Sequence, residues 1–293
     1  MARQEHKEPI VVRKNLDFGF DADDIPRYWL DGNAFRSRLF DAVQATFPDG
    51  ERYFISAVRA FRDRIGDPAL LQEVKDFTMQ EGQHGQVHTR YNERLRRQGV
   101  DVDAFTRHTK AMCDGRLRDY SAEYNVALTA ALEHFTAMMA DLFFAEKSML
   151  DGADPHVRAM LAWHAIEEME HKAVAFDVMQ KVAGVGYLTR VAAMTHATFS
   201  FTLFTMVSPW FMLGMDGISK RERLTLYRQN LRWLLGPRKG VIGRLLPMIA
   251  SYYRPGFHPN DLPSVHNYQA WLQAYTETGD TIAAAEAMHR AAA

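Results

Sequence analysis

Only one cysteine, Cys113, occurs in the 293 residues. That scarcity excludes a disulfide framework, a thiolate zinc site and a paired-thiol redox motif, and it fits a reducing compartment, so a cytoplasmic protein is expected. Charge of one sign is missing as well. Thirty-five Lys and Arg stand against 36 Asp and Glu, a formal net charge of −1, which leaves no global field to draw in nucleic acid. Residues 1–31 mix both charges (Arg3, Glu5, Lys7, Glu8, Arg13, Lys14) without an apolar run, so no secretory signal is expected there. There is no nucleotide fingerprint, flavin signature, or serine or cysteine nucleophile motif, so the chemistry has to come from other residue types.

Glycine and proline are sparse inside periodic stretches and fall mainly between them, the pattern of a helical chain. A first helix is expected over 33–65, broken near Pro48, Asp49 and Gly50, because proline removes an amide donor and crowds the preceding turn. A second opens with Asp67 as cap and Pro68 in its first turn, runs through Arg97 and stops at Gly99. A third covers about 117–150, and a fourth opens with Asp154 and Pro155 and ends near Gly184. Four helices of this length predict an all-α protein built on a four-helix bundle. Residues 1–32 then form an extended arm, 33–184 the bundle, and 185–293 a helical C-terminal extension packed on it. Residues 191–215 contain no Asp, Glu, Lys or Arg. They read as a helix buried against the bundle, as the wall of an apolar tunnel or a membrane-surface element, or as a spanning helix; His196, Pro209 and several Thr and Ser weigh against the last. A basic amphipathic stretch follows, with Lys220, Arg221, Arg223, Arg228, Arg232, Arg238, Lys239 and Arg244 among Leu, Trp and Ile. It suits the inner membrane face or an interface in a homo-oligomer.

What the chain does have is histidine, 12 in all. Two lie in Glu-x-x-His pairs, Glu81 with His84 and Glu168 with His171, and residues three apart on a helix project from one face toward a common cation. With 15 Glu and 12 His, chance alone yields about 0.6 such pairs, and Glu286 with His289 in the Ala-rich tail is a third. An internal repeat separates them. Adding 87 to Asp67, Pro68, Glu81 and His84 gives Asp154, Pro155, Glu168 and His171, so cap, proline, carboxylate and imidazole recur in register. The same shift pairs Glu167 with Gln80 and gives Glu286 no partner. Each of the other two helices should supply one inward carboxylate. Glu133 lies beyond the uncharged run 125–132, among the small residues Thr129, Ala130, Thr136 and Ala137, and Glu51 precedes Tyr53, Phe54 and Ile55. The metal set is therefore Glu51, Glu81, His84, Glu133, Glu168 and His171. Four carboxylates and two imidazoles balance two divalent cations, with iron expected and manganese or zinc tolerated. His88 and His164, one turn from His84 and Glu168, read equally as ligands, second-sphere partners or proton shuttles, or as structural residues. Glu167, Tyr53 and Tyr124 complete the candidates, the tyrosines for packing rather than radical chemistry. Gly82 and Gly85, inside a helical stretch, suggest close helix approach or room for a substrate.

The order Glu, Glu-x-x-His, Glu, Glu-x-x-His across four helices resembles the ferritin-like di-iron carboxylate superfamily. More closely, Phe47-Pro48-Asp49-Gly50-Glu51-Arg52-Tyr53-Phe54, Gln80-Glu81-Gly82-Gln83-His84-Gly85-Gln86-Val87-His88, the stretch 164–172 and Arg254-Pro255-Gly256-Phe257-His258-Pro259 resemble the bacterial predicted metal-dependent hydrolases, over nearly the whole chain. The resemblance implies the six ligands above, with bridging roles for Glu81 and Glu168. The leading expectation is a di-iron, O2-activating oxidoreductase (oxygenase, oxidase or desaturase-like) that oxidises an apolar small-molecule substrate with electrons from a separate donor protein. The alternative is a metal-dependent hydrolase that uses a metal-activated water. A non-catalytic metal-binding or membrane-associated protein is the third reading.

Overall fold

A computed structural model describes residues 6–21, 24–237 and 239–292; Arg3, Glu5 and Arg238 lie outside them. Among the described residues the chain is all-helical. α1 (Ala34–Arg59) is capped by the Asn33 side chain, which accepts from the Arg36 amide. α2 (Pro68–Arg97) follows the expected signals: Asp67 accepts from the Ala69 amide, Pro68 opens the helix, and Gly99 beyond its end takes φ +85°, a conformation costly for any residue with a Cβ. α5 (Pro155–His171) begins the same way, with Asp154 accepting from His156 and Val157.

Three boundaries differ from expectation. α1 does not break at Pro48 but passes through it to Arg59. Proline forfeits a single amide bond, and the adjoining turns are held by burial of Gln44 and Ala45 on one side and Glu51, Tyr53 and Phe54 on the other. The expected helix over 117–150 starts later and ends sooner, as α4 (Ala122–Ala145), which Ser121 caps through the Tyr124 amide, and an unexpected helix, α3 (Val102–Asp119), precedes it, with Tyr120 and Ser121 extended between the two. The fourth helix does not run unbroken to Gly184. It stops at His171, resumes as α6 (Val174–Asp177) and widens into a π turn, Val178–Val182, irregularities that side-chain periodicity does not signal.

α1 packs along α2, and α4 along α5, with further contacts of α1 to α4 and of α2 to α5. α7 (Tyr187–Met215) lies across α1 and α4, followed by α8 (Lys220–Leu235) and α9 (Val241–Tyr252); α10 (Tyr268–Thr278) and α11 (Thr281–Arg290) close the other side, with α11 on α5. Buried Arg38 ties α1 to the C-terminal helices, its Nη2 2.6 Å from Asp216 and its Nη1 2.6 Å from Asp41. Apolar residues gather in two clusters, one around Tyr53, Phe77, Phe135 and Tyr252, the other around Trp29, Tyr91, Trp163 and Trp271.

α4 and α7 are both long and apolar enough to cross a membrane, but 78% of the apolar window of α4 is buried and only 28% of that of α7. α4 is thus a core helix. α7 is only half of one, since Leu188, Phe199, Leu203, Val207 and Phe211 form an exposed stripe at helical spacing. The expectation of a helix buried against its neighbours holds for the inner face of α7 alone.

Candidate metal centre

The six expected ligands meet. Glu51 comes from α1, Glu81 and His84 from α2, Glu133 from α4, and Glu168 and His171 from α5; all are at most 3% exposed. His171 Nε2 faces three carboxylates, at 3.1 Å from Glu81, 3.3 Å from Glu133 and 3.5 Å from Glu168. Ligand atoms 2.0–2.2 Å from one tetrahedral cation stand about 3.3–3.6 Å apart, so these separations suit a shared ion. Donor atoms of Glu51, Glu81 and His84 make a second group within 4.8 Å of one another.

His88 and His164 join the same centre. His164 Nε2 lies 2.8 Å from Glu168 Oε1, and its Nδ1 lies 2.7 Å from His88 Nε2. The carboxylate takes the Nε2 proton of His164, so the Nδ1 of His164 accepts from His88 and the Nδ1 of His88 carries a bare lone pair. Glu51 Oε1 is 4.0 Å from His88 Nε2. Both rings pack at a tilt against Phe47, and the His164 ring stacks on that of His84 at 4.1 Å.

Burial without partners is what distinguishes this centre. Both carboxylate oxygens of Glu51, Glu81 and Glu133, together with His84 Nδ1, His88 Nδ1 and His171 Nε2, are buried with no hydrogen-bond partner. Each unmatched group costs on the order of 1–3 kcal/mol, more when charged, so the unmatched donors of Glu51, Glu81, Glu133, His84 and His171, gathered in two adjoining groups, call for cations. Burial, reinforced by the neighbouring carboxylates, pushes Glu51 and Glu133 well above the usual carboxylate range. Burial holds His84 and His88 well below theirs, leaving neutral imidazoles able to ligate or to accept a proton. For His171, burial is outweighed by the attraction of the facing carboxylates Glu168, Glu133 and Glu81, and the ring is pushed well up; Glu168 moves well down, where His171 and His164 outweigh burial.

An outer ring of side chains aims these ligands. His84 Nε2 lies 3.0 Å from Glu167 and donates to it, which turns Nδ1 inward; His171 Nδ1 donates to Gln80 Oε1 at 2.9 Å, which turns Nε2 inward. Gln80 and Glu167 are the pair related by the 87-residue shift, so each repeat orients the histidine of the other. Trp163 Nε1 and Arg13 both donate to Glu167, and Arg13 Nη2 also reaches Glu170 at 2.7 Å. With burial opposed by Arg13, Glu167 is raised to about 7. Thr136 donates to Glu168. Arg13, Gln80, Thr136 and Glu170 were not anticipated as site residues. Gln80 alone left a trace, as the repeat counterpart of Glu167.

Tyr53 and Tyr124 take no part: the Tyr53 hydroxyl donates to Asn125 Oδ1 at 2.9 Å, and that of Tyr124 pairs with His196 at 3.2 Å. The tail pair separates, Glu286 binding Arg158 and His289 binding Asp151. Two spaces reach the centre. A cleft of about 460 Å3 is bordered by Pro48, Glu51, Glu81, Gly82 and Gly85. A Cβ on Gly82 would meet nothing within 4 Å, and one on Gly85 would meet only Glu51 Oε2, at 3.4 Å; the glycines make room and do not mark close helix approach. An apolar cavity reaches His164 and Glu168 from the side of α7 and α9.

A family model described as predicted metal-dependent hydrolase matches residues 12–262. The chain belongs to this family. No curated protein and no solved structure matches it. The match overturns the expectation of an O2-activating oxidoreductase in favour of the hydrolytic alternative, and the electron-donor protein expected with it has no role in hydrolysis. The physical reason for the error is plain in the donor set: carboxylates and imidazoles serve zinc or manganese as well as iron, so ligand spacing cannot tell oxidation from hydrolysis. The family description and the clustered donors together make a metal-dependent enzyme.

Proposed function

We propose that this protein is a hydrolase whose centre, formed by Glu51, Glu81, His84, Glu133, Glu168 and His171, holds two divalent cations within a ferritin-like bundle of α1, α2, α4 and α5. The observation that carries the reading is the set of buried, partnerless donor atoms of Glu51, Glu81, Glu133, His84 and His171, in a chain of the metal-dependent hydrolase family. Four carboxylates against two divalent ions leave no net charge in the core. When bound, such ions polarise a carbonyl and lower the pKa of water toward neutrality.

The protein's own groups do the rest. Glu167 and Gln80 fix the two ligating imidazoles in one tautomer each. The His88–His164 pair, joined at 2.7 Å, receives the proton that the attacking water releases and returns it to the leaving group. Phe47 covers both rings and keeps bulk water from that pair. The glycine-lined cleft beside Glu51 and Glu81 admits water.

The test is metal analysis of the purified protein together with hydrolysis of simple aryl esters and anilides before and after chelation. Two ions per chain are expected, with hydrolysis lost on chelation and restored by metal. Glu133→Ala and His171→Ala should lose metal and activity together, and His88→Gln should keep metal while losing most of its rate. Full occupancy in both ligand variants would sink the assignment.

A further inference from the structure

We infer that the cavity enclosed by α1, α4, α7 and α9 binds the hydrocarbon chain of a straight-chain acyl substrate, and that the bond hydrolysed is the acyl bond at its inner end. The inference rests on the hydrolase reading for the reaction, but not for the binding. The cavity has an accessible volume of about 130 Å3, room for about five chain carbons, since a cavity of roughly 150 Å3 holds one benzene ring. Its walls are apolar, among them Leu39, Phe143, Phe201 and Leu245. Thr198 and Thr205 also line it, but their hydroxyls donate to carbonyls of their own helix, Met194 and Thr202.

Apart from Thr198, Thr202 and Thr205 of α7, the polar lining is His164, Glu168 and Thr136 of the metal centre together with Gln44. Gln44 lines the cavity at 4% exposure, and its Oε1 is a buried acceptor with no partner. At the outer end stands Leu246, 55% exposed. A ligand that satisfies both ends has an apolar chain running from the surface inward and a polar head beside His164. An acyl amide fits best, because its N–H supplies the donor that Gln44 lacks and an ester has none. In the reaction the oxygen of water bonds to the acyl carbon, the C–N bond breaks, and the departing amine takes a proton, giving a carboxylic acid and an amine.

The experiment is calorimetric titration of the full-length, metal-loaded protein with methyl n-alkyl ketones, which carry an acyl carbonyl but no bond to hydrolyse, and with primary amides of matching length. Affinity should rise about fourfold per methylene and level off when the cavity is full. Ala140→Phe, which fills the cavity wall, should move that break to shorter chains. If this variant does not fold, Leu246→Trp at the exposed mouth should weaken only the longer chains. Amides should bind more tightly than ketones, and Gln44→Leu should erase the difference. Affinity independent of chain length, or unchanged in a folded Ala140→Phe protein, would overturn the inference. Hydrolysis of acetyl esters alongside flat ketone binding would remove the cavity site and leave the hydrolase reading standing. Graded ketone binding in a protein that cleaves no ester or amide would do the reverse.

Discussion

Arg13 offers the sharpest test of how the centre is supported. It sits in the N-terminal segment, 7% exposed, with Nη1 3.1 Å from Glu167 and Nη2 2.7 Å from Glu170. Arg13→Met keeps an apolar side chain of similar reach and removes the guanidinium, including its cation–π contact over Trp271. Glu170 would retain Gln80, Tyr268 and the Val11 amide, and Glu167 would retain Trp163 and His84, but both carboxylates would lose their guanidinium partner. Breaking a buried pair in this way costs about 3–5 kcal/mol. The cost depends on pH with a definite sign. Burial already raises Glu167 to about 7 against the pull of Arg13, so without Arg13 it rises further and is neutral in weak acid. Urea unfolding should therefore show the full loss at pH 8 and less than half of it at pH 5.5. A loss under about 1 kcal/mol at both pH values would refute the assignment of Arg13 as the charge that supports this shell.

Further outcomes follow from individual contacts. Glu167→Gln should lower metal affinity about 10–100-fold while leaving the fold intact, read by competition with a metal-sensing dye. Gly85→Val should displace Glu51, whose Oε2 lies 3.4 Å from the Cβ position, and reduce metal content. Gly82→Ala, with nothing within 4 Å, should keep full occupancy and gain up to ~1 kcal/mol in helix stability, measured by thermal melts. His134 is held at about 4 by burial, partly offset by the Met248 carbonyl. Its contribution to stability is complete above pH 6.5 and is lost as pH falls toward 4, so wild type should lose about 2–3 kcal/mol more than His134→Phe over that window. Parallel pH profiles for the two proteins would refute it.

The clustering of Glu51, Glu81, His84, Glu133, Glu168 and His171 was legible in the sequence because residues three apart share a helix face, and the 87-residue recurrence of Asp, Pro, Glu and His singled out two of three similar pairs. Helix starts marked by Asp67 and Asp154 were legible for the same local reason. Other features rest on tertiary contact. Arg13 lies in a mixed-charge segment with no periodicity, and nothing local pairs it with Glu167, 154 residues away. The passage of α1 through Pro48 is sustained by neighbours on both sides, and the division between α3 and α4 falls at two extended residues, Tyr120 and Ser121. The reaction class was the least legible, since the same donors serve more than one chemistry.

The crossed pairing of Gln80 with His171 and Glu167 with His84 makes the two repeats interlock. Neither half alone could orient its own imidazole, so a fragment ending before α4 and the remainder beginning there should each fail to capture metal apart and recover it when mixed. The crossing is also unequal: one histidine leans on a carboxylate and the other on a neutral amide. A charged acceptor makes its imidazole the stronger electron donor, so the sequence repeat conceals a chemical polarity, with His84 and His171 presenting opposite ring nitrogens to the centre and tuned apart.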